Sequence, residues 1–76
     1  MNEIHLKPTA QRLLDYMTAH GGITGREAVT ECGVCDYRKR ISEMRQAGIP
    51  ILDAYVTGEN RFGESVRYKM YWLYDR

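Results

Sequence analysis

Cys32 and Cys35 stand in a Cys-x-x-Cys spacing, the arrangement of half a zinc site or of a redox dithiol. Zinc would need two further ligands, and the chain's two histidines, His5 and His20, fall on separate predicted elements, so no metal site is expected. The redox reading needs a preceding strand and a βαβ context, which the sequence lacks. The pair therefore reads as two thiols in or near a turn. No other catalytic set assembles: there is no serine in a nucleophile elbow, no glycine-rich phosphate loop before a helix and no carboxylate pair in an apolar pocket. His5 falls in a terminal segment, and His20 at a predicted helix end, where a cation suits the dipole. Neither an enzyme nor a cofactor nor a small-molecule substrate is expected.

The chemistry that the spacing does offer is recognition of anions and base edges. Arg38, Lys39, Arg40 and Arg45 cluster against Asp36 and Glu43, whereas the preceding stretch carries Glu27 and Glu31 against Arg26. With 11 Lys and Arg against 10 Asp and Glu, the net charge is only +1, so a basic coat is excluded and any nucleic-acid contact must come from one local face. In a helix over 35–47, an apolar stripe through Val34, Tyr37, Ile41, Met44 and Gly48 faces the core. Opposite it lie Cys35, Lys39, Ser42 and Gln46, with Arg38 and Arg45 on one flank and Arg40 on the other. Lys39, Ser42 and Gln46 suit base edges; Arg38, Arg40 and Arg45 suit phosphates. Any surface helix sets charge against an apolar stripe, so this face gains meaning only from its position in the fold.

The elements that must position it follow from periodicity and capping. Ala10, Leu13, Leu14 and Met17 mark a first helix over 9–20, with Thr9 as N-cap and Gly21 as terminator. Ile23 forms a very short strand or extended turn. Thr24 with Glu27 makes a capping box, predicting a second helix over 24–32 with Ala28, Val29 and Cys32 on one side and Gly33 as its exit. The third helix ends at Gly48, and Pro50 turns the chain away. The period then becomes extended: Ile51, Leu52, Tyr55, Val56 and Thr57, a polar loop over 58–63, and a return strand through Val66, Tyr68, Met70 and Trp72. Large apolar groups occupy both faces of that last strand, so the core face is left open.

Helix, short strand, helix, turn, helix, strand, wing, strand is the element order of a winged helix-turn-helix. The residues Gly22-Ile23-Thr24, Glu27-Ala28, Gly33-Val34, Arg40-Ile41, Met44-Arg45 and Ala47-Gly48-Ile49-Pro50-Ile51 resemble a small winged helix-turn-helix family of bacteriophages and mobile elements. The resemblance spans residues 11–73. It implies an α+β fold of three helices with a C-terminal two-stranded β-hairpin wing, and a third helix that docks in the major groove. At the wing, Asn60 and Arg61 are expected at the tip and Arg67 and Lys69 on the return strand, near a phosphate or a minor groove; Thr24 and Arg26 meet the backbone from the second helix.

At 76 residues, 43% hydrophobic and 28% charged, the chain is expected to form one globular domain over 9–76 after a flexible segment over 1–8. No run is long and apolar enough for a membrane helix, and the first residues lack a secretory layout, so a cytoplasmic protein is expected. Two functions from different classes fit. The first is a sequence-specific binder of double-stranded DNA, acting as a small transcriptional regulator or recombination accessory factor of a phage or mobile element. The alternative is a winged helix used as a protein-protein interaction module, such as a phage-encoded inhibitor of a host complex. Tyr55, Tyr68, Tyr71, Trp72 and Tyr74 supply the aromatic density of an interface, of a homodimer seam or of the core, with at least half expected in the core.

Overall fold

The computed structural model describes residues 6–74, so His5 and the expected N-terminal segment up to residue 5 lie outside it. Helix α1 spans Pro8–His20, one residue earlier than its apolar stripe suggests. Its N-cap is Lys7, not Thr9, and no side chain caps it; Pro8 instead occupies the first turn, where a missing N–H costs nothing. Ala10, Leu13 and Met17 are buried, and the helix ends at Gly21, whose N–H reaches the Met17 carbonyl.

Strand β1 is only Ile23–Thr24, and helix α2, Gly25–Thr30, starts directly after it. The capping box is formed in full: the Glu27 amide donates to the Thr24 hydroxyl at 3.2 Å, and the Thr24 amide donates to the Glu27 carboxylate at 2.9 Å. The second oxygen of that carboxylate accepts from the Tyr16 hydroxyl at 3.1 Å, fastening α1 to the start of α2. The helix is shorter than its pattern predicts, and Val29 is 40% exposed, while Ala28 and Cys32 are buried as the stripe required.

Helix α3 runs over Tyr37–Gln46. Cys35 and Asp36, expected inside it, belong to the turn before it, and Asp36 is its N-cap. Its exit is a Schellman motif: the Ile49 amide donates to the Met44 carbonyl at 3.0 Å and the Gly48 amide to the Arg45 carbonyl at 3.0 Å, with Gly48 at φ 95. Met44 and Ile49, the residues that the motif brings together, are both buried. A left-handed backbone at Gly48 is what redirects the chain toward Pro50 and the hairpin.

Strands β2, Ile51–Glu59, and β3, Ser65–Leu73, form the expected hairpin, but β1 pairs with β3 as well. The result is a three-stranded antiparallel sheet in the order β1-β3-β2. The loop is shorter than expected because β2 continues through Gly58 and Glu59. Across β1 and β3, Ile23 faces Tyr71; both are buried with Ile51 against Leu13, Met17, Ala28, Val34, Ile41 and Met44. The core face of β3 is thus that of Tyr71 and Leu73. Of the five C-terminal aromatics, at least half of them expected in the core, Tyr71 alone is buried and Trp72 is half-buried; Tyr55 and Tyr68 are exposed on the part of the hairpin beyond the core, and Tyr74 is exposed just after β3.

One close approach fixes the angle between α2 and α3. The Tyr37 ring lies over Gly25, where an added Cβ would fall 2.4 Å from the hydroxyl and 2.6 Å from Cζ. Gly25→Ala is therefore expected to cost about 1–3 kcal/mol of overpacking, read as a lower urea midpoint. In a double-mutant cycle with Tyr37→Ala the two losses should fall short of additivity, because the second change removes the ring that the first collides with.

Candidate nucleic-acid interface

Four side chains of α3 point away from the core at its solvent face: Lys39, Ser42 and Gln46, with Arg38 beside them, are all exposed. The hairpin rises next to this face. Between α3, the N-terminus of α2 and the inner side of β2 and β3 lies an open groove of about 1040 Å³. It brings together eight of the residues singled out in the sequence as contacts, namely Thr24, Arg26, Arg38, Ser42, Arg45, Asn60, Arg67 and Lys69. Lys39 and Gln46 stand outside the groove, Lys39 beside a shallower hollow with Cys35 and Asp36.

The cations of this region are held in two different ways. Arg45 spans from α3 to the base of the wing: its Nε donates to the Ile51 carbonyl at 3.1 Å and its terminal nitrogen pairs with Asp53. Expected on a phosphate, Arg45 is instead a strut between α3 and β2. Hydrogen bonding from Arg45 holds the Asp53 carboxyl below its ordinary value, against a smaller desolvation effect, and nearby Lys69 helps. By contrast, Arg38 lies over the Tyr37 ring at 5.8 Å, and Arg67 and Lys69 lie over the Tyr55 ring at 4.4 and 5.2 Å from its centroid. A guanidinium seated on an aromatic face keeps its in-plane N–H donors free for an anion. Among the described residues, Arg26, Arg38 and Arg67 have no carboxylate partner within ion-pair distance.

Two further expectations change. Arg40, assigned to the far flank of α3 as a phosphate contact, is buried, with its guanidinium between Asp36 at 3.4 Å and Glu43 at 3.3 Å and its Nε without a partner. The stripe facing the interior is wider than three or four apolar residues, and it takes in Arg40 along with its countercharges. Asn60, expected to reach outward, closes the loop instead: its Oδ1 accepts from the Phe62 and Glu64 amides at 2.9 and 3.1 Å, and its Nδ2 donates to the Glu64 carboxylate at 3.0 Å. The Thr24 hydroxyl is engaged in the capping box. Arg61 does sit at the tip, over the ring of Phe62, which is 72% exposed.

Tyr37, Tyr55 and Phe62 are the partners that the sequence reading missed. Tyr55 and Lys69 are directly opposite in the register, so a hairpin alignment alone would have paired them. Cys32 is buried, its thiol against the Arg12 carbonyl, and burial pushes that thiol above its ordinary value; Cys35 is exposed. No group of three or more metal-ligating side chains occurs among the described residues.

A sequence model for the winged helix-turn-helix domain matches residues 8–76. The chain belongs to the winged helix-turn-helix family. In this winged helix, α2 and α3 are the helix-turn-helix, β2 and β3 are the wing, and the groove is the space between α3 and the wing. The helix-turn-helix is in general a DNA-binding motif. No curated protein matches the chain, and no solved structure does. Among the described residues no helix is long and apolar enough to cross a membrane.

The strut gives the winged helix an acid-sensitive joint. Because the folded state lowers the Asp53 pKa, its contribution to stability is complete above the unfolded carboxylate value of about 4 and is lost as pH falls below it through the folded value. Asp53→Asn should therefore be less stable than the parent at neutral pH and should lose less stability as pH falls below about 4, measured by urea unfolding at each pH.

Proposed function

We propose that the protein binds double-stranded DNA sequence-specifically, with α3 in the major groove and one sugar-phosphate strand running through the groove between α3 and the wing. The observation that carries this reading is the seating of Arg38 and Arg67 on Tyr37 and Tyr55, on the two walls of that groove, with no carboxylate among the described residues paired to either. Five cations and three carboxylates line it: Arg26, Arg38, Arg45, Arg67 and Lys69 against Glu27, Asp53 and Glu59. Asp53 is paired with Arg45 and Lys69, and the remaining cations, Arg26, Arg38 and Arg67, outnumber Glu27 and Glu59, so the lining is positive despite the near-neutral chain.

Lys39, Ser42 and Gln46 are the residues for base edges, since a lysine reads guanine acceptors and a glutamine reads the paired donor and acceptor of adenine. Arg38, Arg67 and Arg26 serve the backbone, and Arg61 the flanking groove. For the role in the cell, the resemblance to phage and mobile-element winged helices supports a small regulator or recombination accessory factor acting in a bacterial cytoplasm, with no catalysis of its own.

Two measurements separate the roles. After a bound motif is selected from random DNA, the slope of log affinity against log salt should become shallower by about two for Arg38→Ala with Arg67→Ala, since each phosphate contact contributes about −0.9. Ser42→Ala with Gln46→Ala removes no charge, so the slope should hold while discrimination against a scrambled site falls by about 5–150-fold. Affinity independent of salt, or selection without an enriched motif, overturns the reading.

A further inference from the structure

The turn at the tip of the wing is closed by Asn60 and Gly63, and its two central side chains are used for nothing inside the fold. The Asn60 amide donates to the Glu64 carbonyl, its carbonyl accepts from the Gly63 amide, and its Oδ1 accepts from the Phe62 and Glu64 amides. Gly63, at φ 77, supplies the left-handed backbone on which the chain returns. Turn chemistry calls for no aromatic at such a place. Yet Phe62 is 72% exposed, more than any other large apolar side chain among the described residues. The Arg61 guanidinium lies over its ring, 5.0 Å from the centroid, and has no carboxylate within ion-pair distance among the described residues. Of the two carboxylates that flank the turn, Glu59 and Glu64, the second is bound by Asn60 Nδ2 at 3.0 Å. An isolated exposed phenylalanine is ordinary on a protein surface. This ring differs in carrying a cation on its face and in standing at the end of a cationic groove.

The reach of the tip is set by the register of the hairpin. Arg45 ties α3 to the hairpin at Asp53, and Glu59, the last residue of β2, lies six residues further on. At about 3.3 Å per residue the tip therefore stands about 20 Å along the wing from the level of α3. On B-form DNA the middle of one groove is half a turn, about 17 Å, from the middle of the next. With α3 in the major groove and one phosphate strand in the cleft, Arg61 and Phe62 fall at the neighbouring minor groove.

We infer that Phe62 is a wedge that enters this minor groove and parts one base step, so that the bound duplex is kinked. The inference rests on the DNA-binding reading and adds to it a deformation of the DNA. An apolar side chain inserted from the minor groove unstacks two base pairs and bends the helix toward the major groove. Arg61 supplies the charge for the phosphates on either side, its in-plane donors left free by the ring beneath it. Pyrimidine-purine steps unstack most easily, so a TA or CA step about five base pairs from the centre of the α3 motif should be favoured without any hydrogen bond to it.

The test uses the full chain and a motif selected from random DNA, with 2-aminopurine at that step and a donor-acceptor dye pair at the duplex ends. On binding, 2-aminopurine fluorescence should rise several-fold and the ends should approach as for a bend of about 20–90°. Phe62→Ala should abolish both changes and the preference for the flexible step while leaving the salt slope as it was, since no charge is removed. Phe62→Leu, still an apolar wedge, should keep part of the bend. The side chain is exposed, so both variants should keep the parent's circular dichroism. A motif-specific parent complex on straight DNA with silent 2-aminopurine, or a Phe62→Ala complex as bent as the parent's, overturns the wedge and leaves the DNA reading standing. Silent 2-aminopurine together with weaker binding by Phe62→Ala places the ring on a deoxyribose and also overturns the wedge. Failure of the parent to bind any DNA overturns both.

Discussion

Tyr71 stands where the two halves of the molecule meet. It lies on the central strand, opposite Ile23 on one side and Asp53 on the other, and is buried with its ring edge-on to Tyr37 at 6.3 Å. Tyr37 in turn opens α3 and covers Gly25 at the start of α2. A two-residue strand is a weak element by itself, and an isolated hairpin is marginal in water. Joined through this aromatic contact, each becomes part of one core. The width of the groove follows, since its walls are α3 and the inner side of the hairpin, and both are anchored to the same ring. Arg45 reaching Ile51 and Asp53 then braces the joint from the solvent side.

How the positive charges are kept explains why a nearly neutral chain can present a cationic groove. Where the protein needs a cation for its own structure, it surrounds it with carboxylates: Arg40 between Asp36 and Glu43, Arg45 on Asp53. Burying a guanidinium without such partners would be costly. Where charge faces the groove or the wing tip, an aromatic ring takes the place of the carboxylate, as for Arg38, Arg67 and Arg61. A ring orders the long side chain and leaves its field intact.

Much of the fold was legible because capping and turn chemistry are local. Thr24 with Glu27, Gly21, Gly33 and Gly48 with Pro50 mark breaks that the backbone obeys. The misplaced boundaries have equally local causes. Pro8 serves the first turn of α1 better than Thr9 could cap it, and the glycine after Cys32 is reached by a turn rather than by another helical turn. Site residues were harder. Periodicity distinguishes buried from exposed stripes but not their edges, so Arg40 read as exposed. Nor can it see which polar groups a loop will use internally, as Asn60 does, or that Tyr55 and Arg67 become neighbours only once the register of the hairpin is set. The outer face of the wing was ambiguous in sequence because β3 alternates between two kinds of large residue, and which side is core depends on β1, two residues long.

The Asn60-braced loop gives the wing a mechanical character. Its side chain joins both ends of the turn while its backbone amide meets the Glu64 carbonyl and its carbonyl receives the Gly63 amide, each at 3.0 Å. Loops of this length ordinarily sample many shapes, and ordering each mobile side chain on contact costs about 0.5–1.5 kcal/mol. Here most of that freedom is spent during folding. The hairpin tip thus offers Arg61 and Phe62 from a main chain that is already ordered, so a contact made there has only their side chains left to immobilise.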